Sequence, residues 1–192
     1  MIVVASLVVI EWLVLTSRRV ASLAHPPLPR SPSAPLDTRA ELTKHPVDGF
    51  SAGLANDDLF EWSVTILGPP ETLYEGGFFQ AILKFPRDYP NSPPECRFTS
   101  EVWHPNVFPD GRVCISILHP AEHDPLNPDE LVSEKWSPVH TVESIVLSII
   151  SMLSSPNDES PANIDAAKEW REDRAAFKKR VARCVRRSQE FE

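Results

Sequence analysis

The sequence predicts an α+β domain built on an antiparallel sheet, and three observations carry that prediction. Alternating apolar runs come first, between residues 50 and 100; apolar residues at helical spacing follow residue 141; turn formers fill the gaps between the runs. "FSAGLAN" (50–56) is the weakest strand-like run. "LFEWSVTIL" (59–67) alternates cleanly, with Phe60, Trp62, Val64 and Ile66 on one face, and "GFFQAILKF" (77–85) is rich in aromatic and aliphatic residues. The connection "GPPETLYEGG" has turn formers at both ends, so these two runs pair antiparallel. A short fourth strand, "ECRFTS" (95–100), follows the turn "FPRDYPNSPP" and puts Cys96 and Phe98 on one face.

The period then changes. Val142, Ile145, Val146, Ile149, Ile150 and Leu153 follow i, i+3, i+4, i+7 spacing, behind Thr141 as N-cap and with Glu143 in the first turn. Leu147 adds apolar surface on a further side, which predicts a helix buried deeply. A last helix follows, in which Phe177, Val181, Cys184 and Val185 form a stripe among nine lysines and arginines between Lys168 and Arg187. Those basic charges read as its solvated face.

A chain of 192 residues suits one domain with an appendage. The net charge of −8 argues against a nucleic-acid partner and for partly basic protein partners. Twenty prolines imply many turns and ordered loops. Residues 1–16, "MIVVASLVVIEWLVLT", head a leader (1–19) that is apolar apart from positions such as Ser6 and Glu11 and is followed by Arg18 and Arg19. Two readings of it stand. As a membrane anchor it is short of the roughly 20 residues a span needs, and the arginines would then hold the rest of the chain on the cytoplasmic side. Otherwise it is a buried segment or a non-native start. Residues 20–35 contain the proline- and serine-rich stretch "HPPLPRSPSAPL", a linker composition, which places the domain at 36–192. "LDTRAELTK" (36–44) suits two helical turns capped by Asp37.

Three cysteines match no zinc or disulfide framework, and nothing in the sequence calls for a metal or a cofactor. Cys96 on its strand face and Cys184 on its helix stripe read as packing residues. Cys114 remains, directly after the tight turn "FPDGR", where a thiol near the surface suits nucleophilic work. Acyl chemistry also needs a donor for the developing oxyanion, and the side-chain amide of Asn106, in "HPN", supplies one if the loop folds back. His104 and His119 flank Cys114, so a Cys-His hydrolase is one reading. His104, before a proline, reads more naturally as fixing a turn, and His119 opens an acidic loop that reads as solvated. A thiol with an amide donor and no dedicated base suits transfer between thioesters and amines better than amide hydrolysis.

Residues 45–192 resemble the ubiquitin-conjugating enzymes, the E2 family. The resemblance rests on "YEGGFF" (74–79), "FPRDYPNSPP" (85–94), "FTSEVWHPNV" (98–107), "GRVCISIL" (111–118) and "WSPVHTVESIVLSIISMLSSPNDESPAN" (136–163). It implies the family's UBC fold, a four-stranded antiparallel meander with N-terminal and C-terminal helices. It implies further that Cys114 accepts ubiquitin as a thioester from the activating enzyme and passes it to a lysine, usually with a RING-type ligase. By the same resemblance Asn106 supports the oxyanion or holds the adjacent loop. Ser160 gates and polarises the incoming lysine. Asn91, Pro138 and Val139 fall in the two loops that bind ligases.

Between Cys114 and Trp136 most family members are shorter. The long form resembles the subclass tied to endoplasmic-reticulum quality control and degradation-signalling chains, which implies a cytoplasmic enzyme, at that membrane if the leader anchors it. The insertion carries Glu122, Asp124, Asp129, Glu130 and Glu134 against Lys135. Placed beside Cys114, these charges would attract a lysine, and a well-aimed one would take its proton. "LNPDE" stands where that subclass has a glycine-tyrosine pair. Family members also carry a full basic amphipathic helix before "HPVDGF" that engages the activating enzyme, whereas only Arg39 and Lys44 stand there in this chain. The alternative to an active conjugating enzyme is therefore an E2-like binding module with impaired charging.

Overall fold

Trp62, Val64 and Ile66 are buried along one face of a ten-residue strand, the alternation expected of them. The computed structural model describes residues 47–122 and 130–190. The leader, the linker, the helix over 36–44 with Arg39 and Lys44, and the acidic-loop residues Asp124 and Asp129 lie outside the described residues.

Four strands form one antiparallel sheet in chain order: β1 (Phe50–Ala55), β2 (Asp58–Leu67), β3 (Phe78–Lys84) and β4 (Glu95–Phe98). β1 turns into β2 through Asn56 and Asp57, whose φ values of 52° and 58° suit the tight turn that matches strand twist. Register pairs Val64 with Ala81 and Ile66 with Phe79, and Leu83 pairs with Cys96 and Ala81 with Phe98. The inner residues of all four strands therefore share one face. Thr99 and Ser100, expected to extend β4, instead turn their N–H groups onto the Gln80 carbonyl.

Three helices follow: α1 (Val142–Ser154), α2 (Ile164–Glu172) and α3 (Arg174–Ser188). Thr141 caps α1, accepting from the Ser144 N–H at 3.2 Å while the Ser144 hydroxyl accepts from the Thr141 N–H at 2.9 Å. Val142, Ile145, Val146, Ile149 and Leu153 enter the core, but Leu147 does not: it is 41% exposed. The helix is buried on one stripe, because its opposite face meets no element among the described residues. The basic segment expected as one helix is two. Asp173 ends α2 with its backbone and caps α3 with its carboxylate on the Ala176 N–H. Phe177, Val181 and Cys184 form the buried stripe of α3. Among the described residues no helix is long and apolar enough to cross a membrane.

Two links carry this core toward the site. Tyr74 packs edge-on against Phe79 and donates its hydroxyl to the Trp103 carbonyl at 2.7 Å, just before the His-Pro-Asn turn. Trp103 in turn donates its indole N–H to Glu169 of α2, and Arg180 of α3 lies 4.3 Å over its ring.

Beyond β4 the chain makes a second, irregular hairpin over residues 106–114. Gly111 at its tip has φ 92°, and a Cβ there would lie 2.3 Å from the Phe98 carbonyl oxygen. The Gly111 carbonyl meanwhile accepts the Phe98 N–H at 2.9 Å. Gly111→Ala should therefore destabilise the fold by roughly 1–3 kcal/mol through strain alone, more if the hairpin cannot retreat. Urea unfolding measures it; an unchanged midpoint would show that the hairpin is not held against β4.

Candidate functional site

The hairpin accounts for a cysteine placed directly after the tight turn at 108–112. Pro109, Asp110 and Gly111 reverse the chain, the Gly111 N–H bonds to the Phe108 carbonyl, and the Asp110 carboxylate takes the Arg112 N–H and guanidinium. Val113 pairs with Val107 across the hairpin, and its N–H reaches the Cys96 carbonyl. The Cys114 N–H then lands on the Asn106 carbonyl at 2.9 Å. Cys114 is half-buried, whereas Cys96 and Cys184 are buried, as the strand face and the helix stripe require. Burial pushes the Cys96 thiol up to about 12.

Asn106 is almost fully buried and bonds at both ends of its side chain. Nδ2 donates to the Asn157 carbonyl at 2.7 Å, and Oδ1 accepts the Asn157 N–H at 2.9 Å. A further bond, from the Asn163 N–H to the Pro105 carbonyl, fixes the far end of the same loop. Residues 157–163 are thus sewn at both ends to the His-Pro-Asn turn, onto which the Cys114 N–H also bonds. Ser160 sits exposed between those two ties.

His104 fixes that turn and has no freedom for other work. Its Nδ1 accepts the Asn106 N–H at 2.9 Å, so the ring proton lies on Nε2 and is donated to the Met152 carbonyl at 3.1 Å. Burial lowers its pKa from the usual 6.5 to about 4.

His119, expected in solvent, is instead folded back onto the thiol. A single turn of 3-10 helix at Ser116–Leu118 reverses the chain, and His119 Nε2 comes to 3.5 Å from Cys114 Sγ. Its Nδ1 meets Glu130 Oε1 at 2.7 Å, and Glu130 Oε2 lies 3.4 Å from Lys135 Nζ. Lys135, read in sequence as a lone cation in an acidic loop, is buried and donates to the Glu122 carbonyl at 2.8 Å. The His119 pKa is raised to about 9, first by the hydrogen bond to Cys114, with the Glu130 carboxylate adding to it against the opposing effect of burial. Burial works against the charge on Glu130, but hydrogen bonds from Ser116, His119 and Lys135 hold its pKa below the usual carboxylate value. Of the predicted acidic residues, Glu130 therefore reaches the site through His119, and Glu122 takes part through its backbone. The sequence signal for this contact was present, a histidine five residues after the cysteine, but no periodicity reports a 3-10 turn that short.

Asn91, Pro138 and Val139 lie on two neighbouring loops. The Trp136 indole donates to the Pro90 carbonyl at 2.8 Å and ties the loops together, leaving Asn91 and Pro138 exposed and Val139 76% exposed.

A meander of four antiparallel strands, flanked by helices and presenting a half-buried cysteine beside a loop braced by an amide, defines a domain of the ubiquitin-conjugating class. Residues 36–185 match the family described as Ubiquitin-conjugating enzyme. The chain is 74% identical over 152 residues to Ubiquitin-conjugating enzyme E2 13 of Arabidopsis thaliana, covering 79% of this chain and 91% of that one. It is 62% identical over 152 residues to Probable ubiquitin-conjugating enzyme E2 7 of Caenorhabditis elegans, covering 79% and 92%. It is 54% identical over 149 residues to Ubiquitin-conjugating enzyme E2 G2 of Homo sapiens, covering 77% and 90%. The chain belongs to the ubiquitin-conjugating enzyme family: it is an E2 enzyme with the UBC fold, whose partners as a class are ubiquitin, an activating enzyme and a ligase.

The neutral His104 has a pH consequence. Its folded pKa lies below its unfolded value, so its contribution is complete above pH 6.5 and is lost progressively as pH falls toward 4. That loss is worth roughly 3 kcal/mol. In an NMR titration the His104 ring should stay neutral at pH 5.5, and a midpoint near 6.5 would contradict the buried tautomer.

Proposed function

We propose that Cys114 receives the C-terminus of ubiquitin as a thioester from the activating enzyme and passes it to a lysine, with a RING-type ligase bridging enzyme and substrate. The observation that carries this reading is the placement of the thiol. Cys114 is half-buried on a hairpin whose backbone is bonded to Asn106, and Asn106 braces the facing loop through Asn157. A cysteine held this way can be reached by a protein tail and resists collapse into the core.

Asn106 acts in this scheme by holding the loop of residues 157–163 over the thiol; the second N–H on Nδ2 is the donor available to an oxyanion. Ser160, on that loop, meets the incoming lysine. Asn91, Pro138 and Val139 form the ligase platform, where the exposed Val139 beside two loops tied by Trp136 supplies an apolar contact. Arg39 and Lys44 serve the activating enzyme. Glu122, Asp124, Asp129 and Glu130 make the approach to Cys114 acidic, which draws a lysine ammonium toward it. The product is a ubiquitin chain that signals degradation. The enzyme works on the cytoplasmic side, and residues 1–16 hold it at the endoplasmic-reticulum membrane where the leader serves as an anchor.

Purified chain mixed with activating enzyme, ubiquitin and ATP should form a reductant-sensitive adduct that Cys114→Ala abolishes and Cys114→Ser converts to a reductant-resistant ester. Asn106→Ala should slow isopeptide formation by about tenfold or more while leaving charging within a few-fold. Equal loss of both steps would sink the role given to Asn106. An uncharged wild-type chain would favour the E2-like binding module, with its front helix replaced by a proline-rich segment.

A further inference from the structure

The Glu130–His119 pair is more than a neighbour of the thiol, and its geometry has a direction. His119 is bonded at both ring nitrogens, with Nδ1 on a half-buried carboxylate at 2.7 Å and Nε2 on Cys114 Sγ at 3.5 Å. Among the described residues, the groups it meets are the Cys114 sulfur and the Glu130 carboxylate, with Lys135 reached through Glu130. Lys135 fixes the carboxylate from the other side, so the imidazole is oriented by a chain of contacts anchored in a buried ammonium.

We propose that His119 is a catalytic residue of the transfer step: Nε2 takes the proton from the attacking lysine nitrogen, and Glu130 is the positioning residue that holds the ring. This rests on the thioester reading above. The thiol gates the base. While Sγ is free, it occupies Nε2; once Sγ is acylated it no longer offers that partner, and Nε2 is left facing the sulfur that bears the thioester carbonyl. Loss of the sulfur contact also removes the largest cause of the raised His119 pKa, so the charged enzyme presents more neutral imidazole than the free enzyme does.

The protons balance. The lysine ammonium first loses one proton to solvent. The amine then attacks the thioester carbonyl, forming the C–N bond, and the tetrahedral nitrogen gives a second proton to Nε2. The C–S bond breaks with its electron pair on sulfur, which leaves an imidazolium beside the Cys114 sulfur, the arrangement of the free enzyme. The acidic surroundings draw the lysine in as its ammonium, and it becomes the nucleophile once that first proton is lost.

The test isolates the transfer step. Ubiquitin is loaded on the full chain, ATP is removed, and loss of the adduct to free lysine is followed from pH 6 to pH 9.5. His119→Ala should discharge roughly tenfold to a hundredfold more slowly near pH 7, a gap that narrows as pH rises, and imidazole in solution should restore part of the rate. Glu130→Gln keeps the base but removes the charge that favours imidazolium, so it should lose less and shift the profile to lower pH. Thermal unfolding of both variants checks that they fold. A thioester that forms but discharges at the wild-type rate in His119→Ala overturns the assignment and leaves the conjugating reading intact. So does a uniform loss at every pH that imidazole does not rescue. An equal His119-dependent loss to water would mark a hydrolytic centre instead. A wild-type chain that forms no thioester overturns the conjugating reading and this assignment with it.

Discussion

Asn106 bonds through its peptide group and its side chain together. Its N–H goes to the His104 ring, its carbonyl takes the Cys114 N–H, and its amide exchanges two bonds with the Asn157 backbone. Each bond contributes about 1 kcal/mol net, but each buried partner left alone would cost 1–3 kcal/mol. Three segments are therefore locked through one residue: the His-Pro-Asn turn, the cysteine hairpin that continues from it, and the loop after α1, whose Asn157 lies 51 residues away in sequence. Isosteric changes at this position cannot be neutral, since Asp would place an acceptor where the Asn157 carbonyl needs a donor.

The rest of the fold supports that lock. The sheet buries Trp62, Ile66, Phe79 and Leu83 beneath it, and α1 delivers the Met152 carbonyl that fixes the His104 tautomer. Tyr74 and Trp103 link the sheet to the turn and the turn to α2 and α3. Against this frame stand two further features. One is the loop bearing Ser160; the other is the segment after Leu118, which returns on Cys114 through His119 and is held by Glu130 and Lys135. The site thus pairs a fixed thiol with a base whose availability depends on the state of that thiol.

Much of this was legible in the sequence. Alternation in 59–67 and 77–85 and the spacing of Val142 to Leu153 report burial directly, because each periodicity is the geometry of one element. Cys96 and Cys184 are buried as their periodicity required, and Cys114 is the half-buried cysteine that remains. Leu147 misled because an apolar residue on a further face says nothing of whether an element covers it. Asp173 split the last helix because a carboxylate that caps is locally the same residue as one exposed on a helix face. His119 was misplaced, and Lys135 not seen as buried, for a related reason: their positions come from contacts with Cys114, Glu130 and Glu122, and such closures across a loop leave no period to read.

The most direct check of the Asn106 lock is amide hydrogen exchange at Cys114 and at Asn157 in the wild-type chain and in Asn106→Ala. Both amides should be protected in the wild type. In the variant, Asn157 should lose protection by at least tenfold while Cys114, bonded to the backbone carbonyl of residue 106, keeps most of its own. An Asn157 amide that exchanges in the wild type as fast as an open loop would contradict the account, because nothing would then hold the loop against the cysteine.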